Sequence, residues 1–320
     1  TRYRGAFFGR ITMYSGLVGA AFAIIEGRFL DAIKSRGIGA FSWLFGFGMV
    51  VGLINASLFF PQPDVPIRRN EPGNFRRYLA ETFRNRELIT VTAFALLWSL
   101  QSIAGPFFAT YMIRDLRAPF LGVGLVNSAF IVAMLASAPM WGSIVDRYGC
   151  RSVLTLCSFV LAILQFSWLA VDSRQALYCV IPPVNILAGM SASGVSVALS
   201  TLLYKVTPSA GRSVQLAVYS VVVVLAAAPM PVLGGHLPDA IRSIVPNADL
   251  RFTFYSVAPI LLAASAVSRR IREPQARGVR VLLVALPGHV LATCQQFASA
   301  GWTTARAALF RMVGAIAGEE

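Results

Sequence analysis

Pro139-Met140-Trp141-Gly142-Ser143-Ile144-Val145-Asp146-Arg147-Tyr148-Gly149-Cys150-Arg151 lies between two long apolar runs and decides how the chain is read. Each small or charged residue in it has a physical reason. Gly142, without a side chain, lets two helices approach closely. Asp146 can accept from free amides at a neighbouring helix N-terminus, where the dipole favours negative charge. Gly149 allows a tight turn, and Arg147 and Arg151 hold a loop of this kind on the cytoplasmic side of a membrane.

The composition around this stretch calls for a membrane. Of the 320 residues, 56% are hydrophobic and 13% charged, with a mean hydropathy of +0.66. That is outside the range of ordinary soluble domains. Apolar stretches long enough to cross a hydrocarbon core of about 30 Å recur at about 11–31, 39–60, 88–112, 120–143, 152–171, 176–203, 213–236 and 252–268. Backbone polar groups in lipid must be satisfied within the segment, so these eight are expected to be helices. The period-2 alternation of an outer-membrane barrel is absent.

The net charge of +14 is a topology signal. With alternate loops assigned to opposite sides, one side carries eighteen of the 28 Lys and Arg, including Arg2, Arg76, Arg147, Arg151, Lys205 and Arg269. The opposite side carries eight, and the tail holds Arg306 and Arg311. The positive-inside rule then puts both ends of the eight-helix unit in the cytoplasm, and nucleic acid is not an expected partner. Four cysteines form no Cys-x-x-Cys pair and only two histidines occur, which argues against a metal centre; no cofactor is expected. No Gly-x-Ser-x-Gly elbow, phosphate-binding loop or His-Glu-x-x-His pattern is present, so the chain reads as a non-enzyme.

The longest polar interval, about 61–87, holds Pro61, Pro63, Pro66, Pro72 and the basic run Phe75-Arg76-Arg77-Tyr78, with two spans before it and six after. Together with Gly142-x-x-x-Asp146-Arg147-x-Gly149-x-Arg151, this layout resembles the major facilitator superfamily of secondary transporters, in which two six-helix halves are joined by a long basic loop. Arg4-Gly5-Ala6-Phe7-Phe8-Gly9-Arg10 is similar to the loop before that family's fifth helix. Pro208-Ser209-Ala210-Gly211-Arg212 is similar to the loop before its eleventh, and Gly105-Pro106 to the gating kink of its seventh. Cys150 departs from the pattern, which usually has a second basic residue there.

The resemblance covers about 1–270 and implies an all-α polytopic membrane protein lacking the first four helices of the fold. Its expected parts are 1–60, two helices of the N-terminal half; 61–87, the inter-half loop; 88–270, a complete six-helix bundle; and 271–320, a cytoplasmic or interfacial tail. In the tail, 281–292 is short and broken by Pro287-Gly288, and 296–317 reads as an interfacial helix, with Trp302, Leu309 and Ile316 on one face, or else as a weakly ordered tail.

Polar residues inside spans are costly unless they face protein or a water-filled cavity. Gln101, Phe108, Tyr111, Asn127, Asn185 and Tyr219 are the candidate solute cavity, with interhelical hydrogen bonding as the alternative for the polar ones. Glu26 is a candidate ion-coupling carboxylate, or else a helix-end acid paired with Arg28. Gly142, Asp146, Arg147, Gly149 and Arg151 are the candidate conformational motif, with Asp146 expected to cap the helix that starts near Ser213. The expected function is transport of a small solute by alternating access, in the cell membrane of a prokaryote, with the bilayer and the missing N-terminal helices as partners. The alternatives are a non-transporting receptor or scaffold, or an inactive remnant.

Overall fold

The computed structural model describes residues 18–19, 21–32, 39–58, 60–61, 75–208, 211–244, 250–273, 276–291 and 295. Every regular element among them is helical, which satisfies the backbone without help from solvent. In chain order they are α1 (21–32), α2 (Gly39–Ser57), α3 (Phe75–Arg84), α4 (Arg86–Leu100), α5 (Gly105–Arg114), α6 (Phe120–Tyr148) and α7 (Cys150–Leu164). There follow α8 (Arg174–Val206), α9 (Arg212–Ala227), α10 (Met230–Ile244), α11 (Arg251–Tyr255), α12 (Val257–Ser268) and α13 (Val279–Leu291).

Five helical stretches among the described residues are long and apolar enough to cross a membrane: Arg86–Arg114, Phe120–Tyr148, Cys150–Ala170, Arg174–Val206 and Arg212–Pro238. They coincide with five of the eight expected spans. The expected span 252–268 is interrupted at Ser256, between α11 and α12. The span 39–60 is the 19-residue α2, about 28 Å at 1.5 Å per residue, and 11–31 is described only from residue 18.

Local chemistry sets the helix ends. Asn85 starts α4 by accepting from the Leu88 amide at 3.1 Å, and its own amide donates to Val206 O at 3.0 Å, tying α4 to the end of α8. Ser173 caps α8 through the Ala176 amide. Pro182 and Pro183 lie inside α8 without ending it.

The helices pack around two apolar cores, one at each end of the bundle. Leu88, Phe94, Ile144, Leu154 and Leu202 fill the end near Gly149. Leu177, Ile181, Phe254 and Leu261 fill the opposite end, near Pro119. α6 and α7 pack against α8, α12 against α7 and α4, and α9 against α4. A Cβ on Gly194 would stand 2.6 Å from Cys157 Sγ and 2.9 Å from Trp141 Cε2, so α6, α7 and α8 converge closely there.

Two expectations change. The interval 61–87 includes α3, whose buried Thr82 faces inward while Arg76, Arg77 and Arg84 stay in water. The tail segment is not broken at Pro287-Gly288. α13 continues through them, and wholly buried Leu282, with Val279, Leu286 and Val290, packs it onto the core at the Gly149 end. The face of 296–317, with Trp302, Leu309 and Ile316, lies outside the described residues, as do Arg2, Arg4 and Arg10.

Candidate functional site

At the Gly142–Arg151 motif, α6 ends and α7 begins with one residue between them. Gly149 has φ +88°, a conformation that suits glycine, and a Cβ there would stand 2.8 Å from Ala276 Cα. The first amides of α7 are held by Glu273, which follows α12. Its Oε2 accepts from Arg151 N at 2.9 Å, and its Oε1 lies 3.1 Å from Lys205 Nζ at the end of α8. The Glu273 side chain is 8% exposed. Burial would raise its carboxyl, but the Arg151 and Cys150 amides and the Lys205 ammonium outweigh that and hold it below the usual carboxylate range. Lys205 Nζ is also 3.8 Å from Cys150 Sγ, so α8 supplies the positive charge that residue 150 lacks.

The chain after Glu273 closes the same corner. Arg277 N donates to Tyr148 O at 2.9 Å, Ser152 Oγ donates to Arg277 O, and the Arg277 guanidinium sits over the Tyr148 ring. His289 meets that ring edge-on, with centroids 5.9 Å apart. One corner thus joins the ends of α6, α7 and α8 to the segment after α12.

Asp146 does not cap the helix starting near Ser213. It is exposed on the last turn of α6, and no described residue hydrogen-bonds to it. The reason is topological: α9 packs on α4 and α3, and its first residue follows Gly211, whose Cα lies against the Tyr78 ring. Gly142 is likewise not a helix crossing, since a Cβ there would meet nothing within 4 Å. Arg147 and Arg151 are exposed, and the Arg151 backbone amide, not its guanidinium, binds Glu273.

The six cavity candidates do not converge on one space. Phe108 stacks on Phe254 (centroids 4.3 Å apart) and packs on Trp168 at 5.1 Å. Tyr111 is 5% exposed, meets Trp168 and Phe254 edge-on, and donates its hydroxyl to Val171 O at 2.8 Å. Tyr111 belongs to the core at the Pro119 end, and part-buried Phe108 packs against it. Asn185 Nδ2 donates to Val126 O at 2.9 Å, joining α8 to α6. Asn127 is exposed on α6; Gln101 and Tyr219 are part-buried.

Gln101 sits where two spans are interrupted side by side. α4 stops at Leu100, a 3-10 turn spans Gln101–Ile103, and α5 resumes at Gly105 with Pro106 in its first turn. On the other span α9 stops at Ala227 and α10 resumes at Met230. Pro231 has no N–H, which deprives the Ala227 carbonyl of its helical donor, and Ser102 Oγ donates to that carbonyl at 3.4 Å. Gly234 admits the contact, since a Cβ there would stand 2.8 Å from the Phe107 ring. Gln215, 1% exposed on α9 one turn before Tyr219, has a side-chain oxygen with no partner among the described residues.

A cavity of about 380 Å³ opens at the Pro119 end between α5, Asp172 and the α10–α11 region, with Phe107, Tyr111, Arg114, Asp115 and Arg251 in its wall. Of the six candidates only Tyr111 touches it. Glu26 is exposed on α1. The acid that makes interhelical bonds there is Asp31, whose Oδ1 accepts from Phe120 N at 2.9 Å and Oδ2 from Leu121 N at 2.8 Å.

Asp31 and Glu273 were not singled out from the sequence. Each is an acid at the edge of an apolar segment, and that position was their one readable sign; their partners lie 89 and 122 residues away.

No curated protein and no solved structure matches the chain. A family model, the Major Facilitator Superfamily, matches residues 90–317, beyond residue 270 where the motif resemblance ended. Its members are transporters rather than enzymes. With spans, helix breaks and the α6–α7 turn in place, and with well over half its length matched, the chain is an integral multi-pass membrane protein that belongs to the major facilitator superfamily.

Proposed function

We propose that the protein carries a small solute across the membrane by alternating access. The observation that supports this reading best is the pair of interrupted spans in contact at Ser102 and Ala227. A membrane helix is broken at an energetic cost, and non-helical backbone is tolerated where protein or a water-filled space receives it. Two breaks packed on each other form a hinge region within the bundle. Gln101 lies at it, and Gln215 and Tyr219 lie farther along α9, where α9 meets α4.

In this reading 88–270 is one moving half, 1–60 contributes helices of the other, 61–87 links them, and 271–320 is the tail. The Gly149 end is cytoplasmic and the Pro119 end external, following the distribution of Lys and Arg. Gln101, Asn127 and Tyr219, whose side chains make no hydrogen bond to described residues, are the solute-facing candidates. Gly142, Asp146, Arg147, Gly149 and Arg151 mark the cytoplasmic corner that Glu273 organises.

The test is uptake by the 320-residue chain in proteoliposomes, across a broad solute panel with an imposed ion gradient. Saturable uptake that Gln101→Ala and Tyr219→Phe reduce, with unchanged thermal stability, supports the reading. Absence of uptake of every solute tested, by the folded chain both alone and completed with the four expected N-terminal helices, counts against it.

A further inference from the structure

Helix α1 meets α6 through glycine on both sides. A Cβ on Gly27 would stand 2.7 Å from Phe120 O and 2.9 Å from Leu121 Cα, and one on Gly124 would stand 2.5 Å from Ala23 O. Backbones this close leave no room for side chains between them. One turn beyond Gly27, Asp31 binds the Phe120 and Leu121 amides with its two oxygens. α6 offers those amides no cap of its own, because its N-cap residue is Pro119, which has no capping side chain. The Phe120 and Leu121 amides at the start of α6 are therefore satisfied by a carboxylate that belongs to another helix.

We propose that Asp31 is the latch of the external side: a positioning residue that holds α1 on α6 and must release the Phe120 and Leu121 amides when that side opens. The inference rests on the alternating-access reading. A carboxylate suits the task because both of its oxygens accept, and its charge complements the positive end of the α6 dipole. Asparagine keeps the shape, but turns an N–H₂ donor toward one of the two amides and removes the charge. Glu26 and Arg28, exposed on the same helix, make no such bond among the described residues.

The experiment is a spin-label distance measurement on the full chain in lipid nanodiscs. Arg28→Cys on α1 and Gln175→Cys on α8, both exposed, carry the labels, with Cys150, Cys157, Cys179 and Cys294 replaced by alanine. D31N is expected to raise the ratio of long to short separations about tenfold, the effect of losing a helix cap worth about 1.4 kcal/mol. F120P removes one of the two donors at a position where proline suits a helix start, and is expected to shift the ratio the same way should D31N not fold. E87Q, at an exposed acid in the first turn of α4 at the Gly149 end, is expected to change nothing.

Unchanged separations in D31N or F120P, with E87Q as reference, overturn the latch. Unchanged separations alongside measurable uptake overturn the latch alone and leave the transport reading standing. Shifted separations in a chain that takes up no solute even when completed with the four expected N-terminal helices keep the latch and overturn the transport reading.

Discussion

Glu273 and Arg151 are joined by a 2.9 Å hydrogen bond from the Arg151 amide to the Glu273 carboxylate, across 122 residues of chain. A carboxylate from beyond the last span of the bundle therefore caps the third. Replacing it with Gln should lower the thermal midpoint in nanodiscs, with a loss of about 1 to 2 kcal/mol for a charged cap. An unchanged midpoint in Glu273→Gln, followed by tryptophan fluorescence, would show that the corner is held without it.

The same carboxyl makes stability depend on pH. Its folded value lies below the ordinary carboxylate range, so its contribution is complete above about pH 4.3 and is lost as pH falls through the lowered folded value. The difference in melting midpoint between wild type and Glu273→Gln should stay constant from neutrality to about pH 5 and shrink in more acid buffer. A difference that widens on acidification would contradict the sign.

Tyr111 lies in the core at the Pro119 end and Phe108 packs against it, and their variants should behave so. Tyr111→Phe removes the bond to Val171 O and should cost about 1 kcal/mol. Phe108→Ala opens the stack on Phe254 and, for this part-buried ring, should cost about 2 to 3 kcal/mol. Chemical unfolding of the two variants checks this. A Phe108→Ala variant of normal stability with altered solute affinity would return that ring to the cavity.

Gly194 and Gly142 form a contrast within the packed helices. Gly194→Ala puts a methyl 2.6 Å from Cys157 Sγ and should cost about 1 to 3 kcal/mol. Gly142→Ala meets open space inside α6 and should be neutral or gain up to about 1 kcal/mol from helix propensity. Parallel melts read both.

Gln215 buries an oxygen with no partner among the described residues, so Gln215→Leu should be at least as stable as wild type. Loss of uptake in that variant, with stability kept, would assign the side chain to the solute path; a large loss of stability would show that it is satisfied.

Much of the fold was legible because it follows from local pattern. Apolar length placed five spans, Gly105-Pro106 marked the interruption after α4, and the turn at Gly149 follows from its neighbours. The candidate site was less legible. Gln101, Phe108 and Tyr111 share a span, but periodicity cannot distinguish a face turned into the core of its own bundle from one turned to a central cavity. Asp146 has the charge for a helix cap, yet α9 is docked elsewhere, and a cap requires a docked neighbour. Asp31 and Glu273 are caps for helices distant in sequence, and such pairing is decided by tertiary packing.

The interruptions at Ala104 and Ala228 also set where the bundle can be wetted. Pro229 and Pro231 withhold two amide protons from the carbonyls one turn before them, and Ser102 supplies a hydroxyl to one of these. Polar backbone is thereby concentrated at a single depth of an otherwise hydrocarbon-lined barrier. Water entering the bundle gathers at that depth, so amide deuterium exchange should be fastest in a band through both helices, with slow exchange in the intact turns on either side.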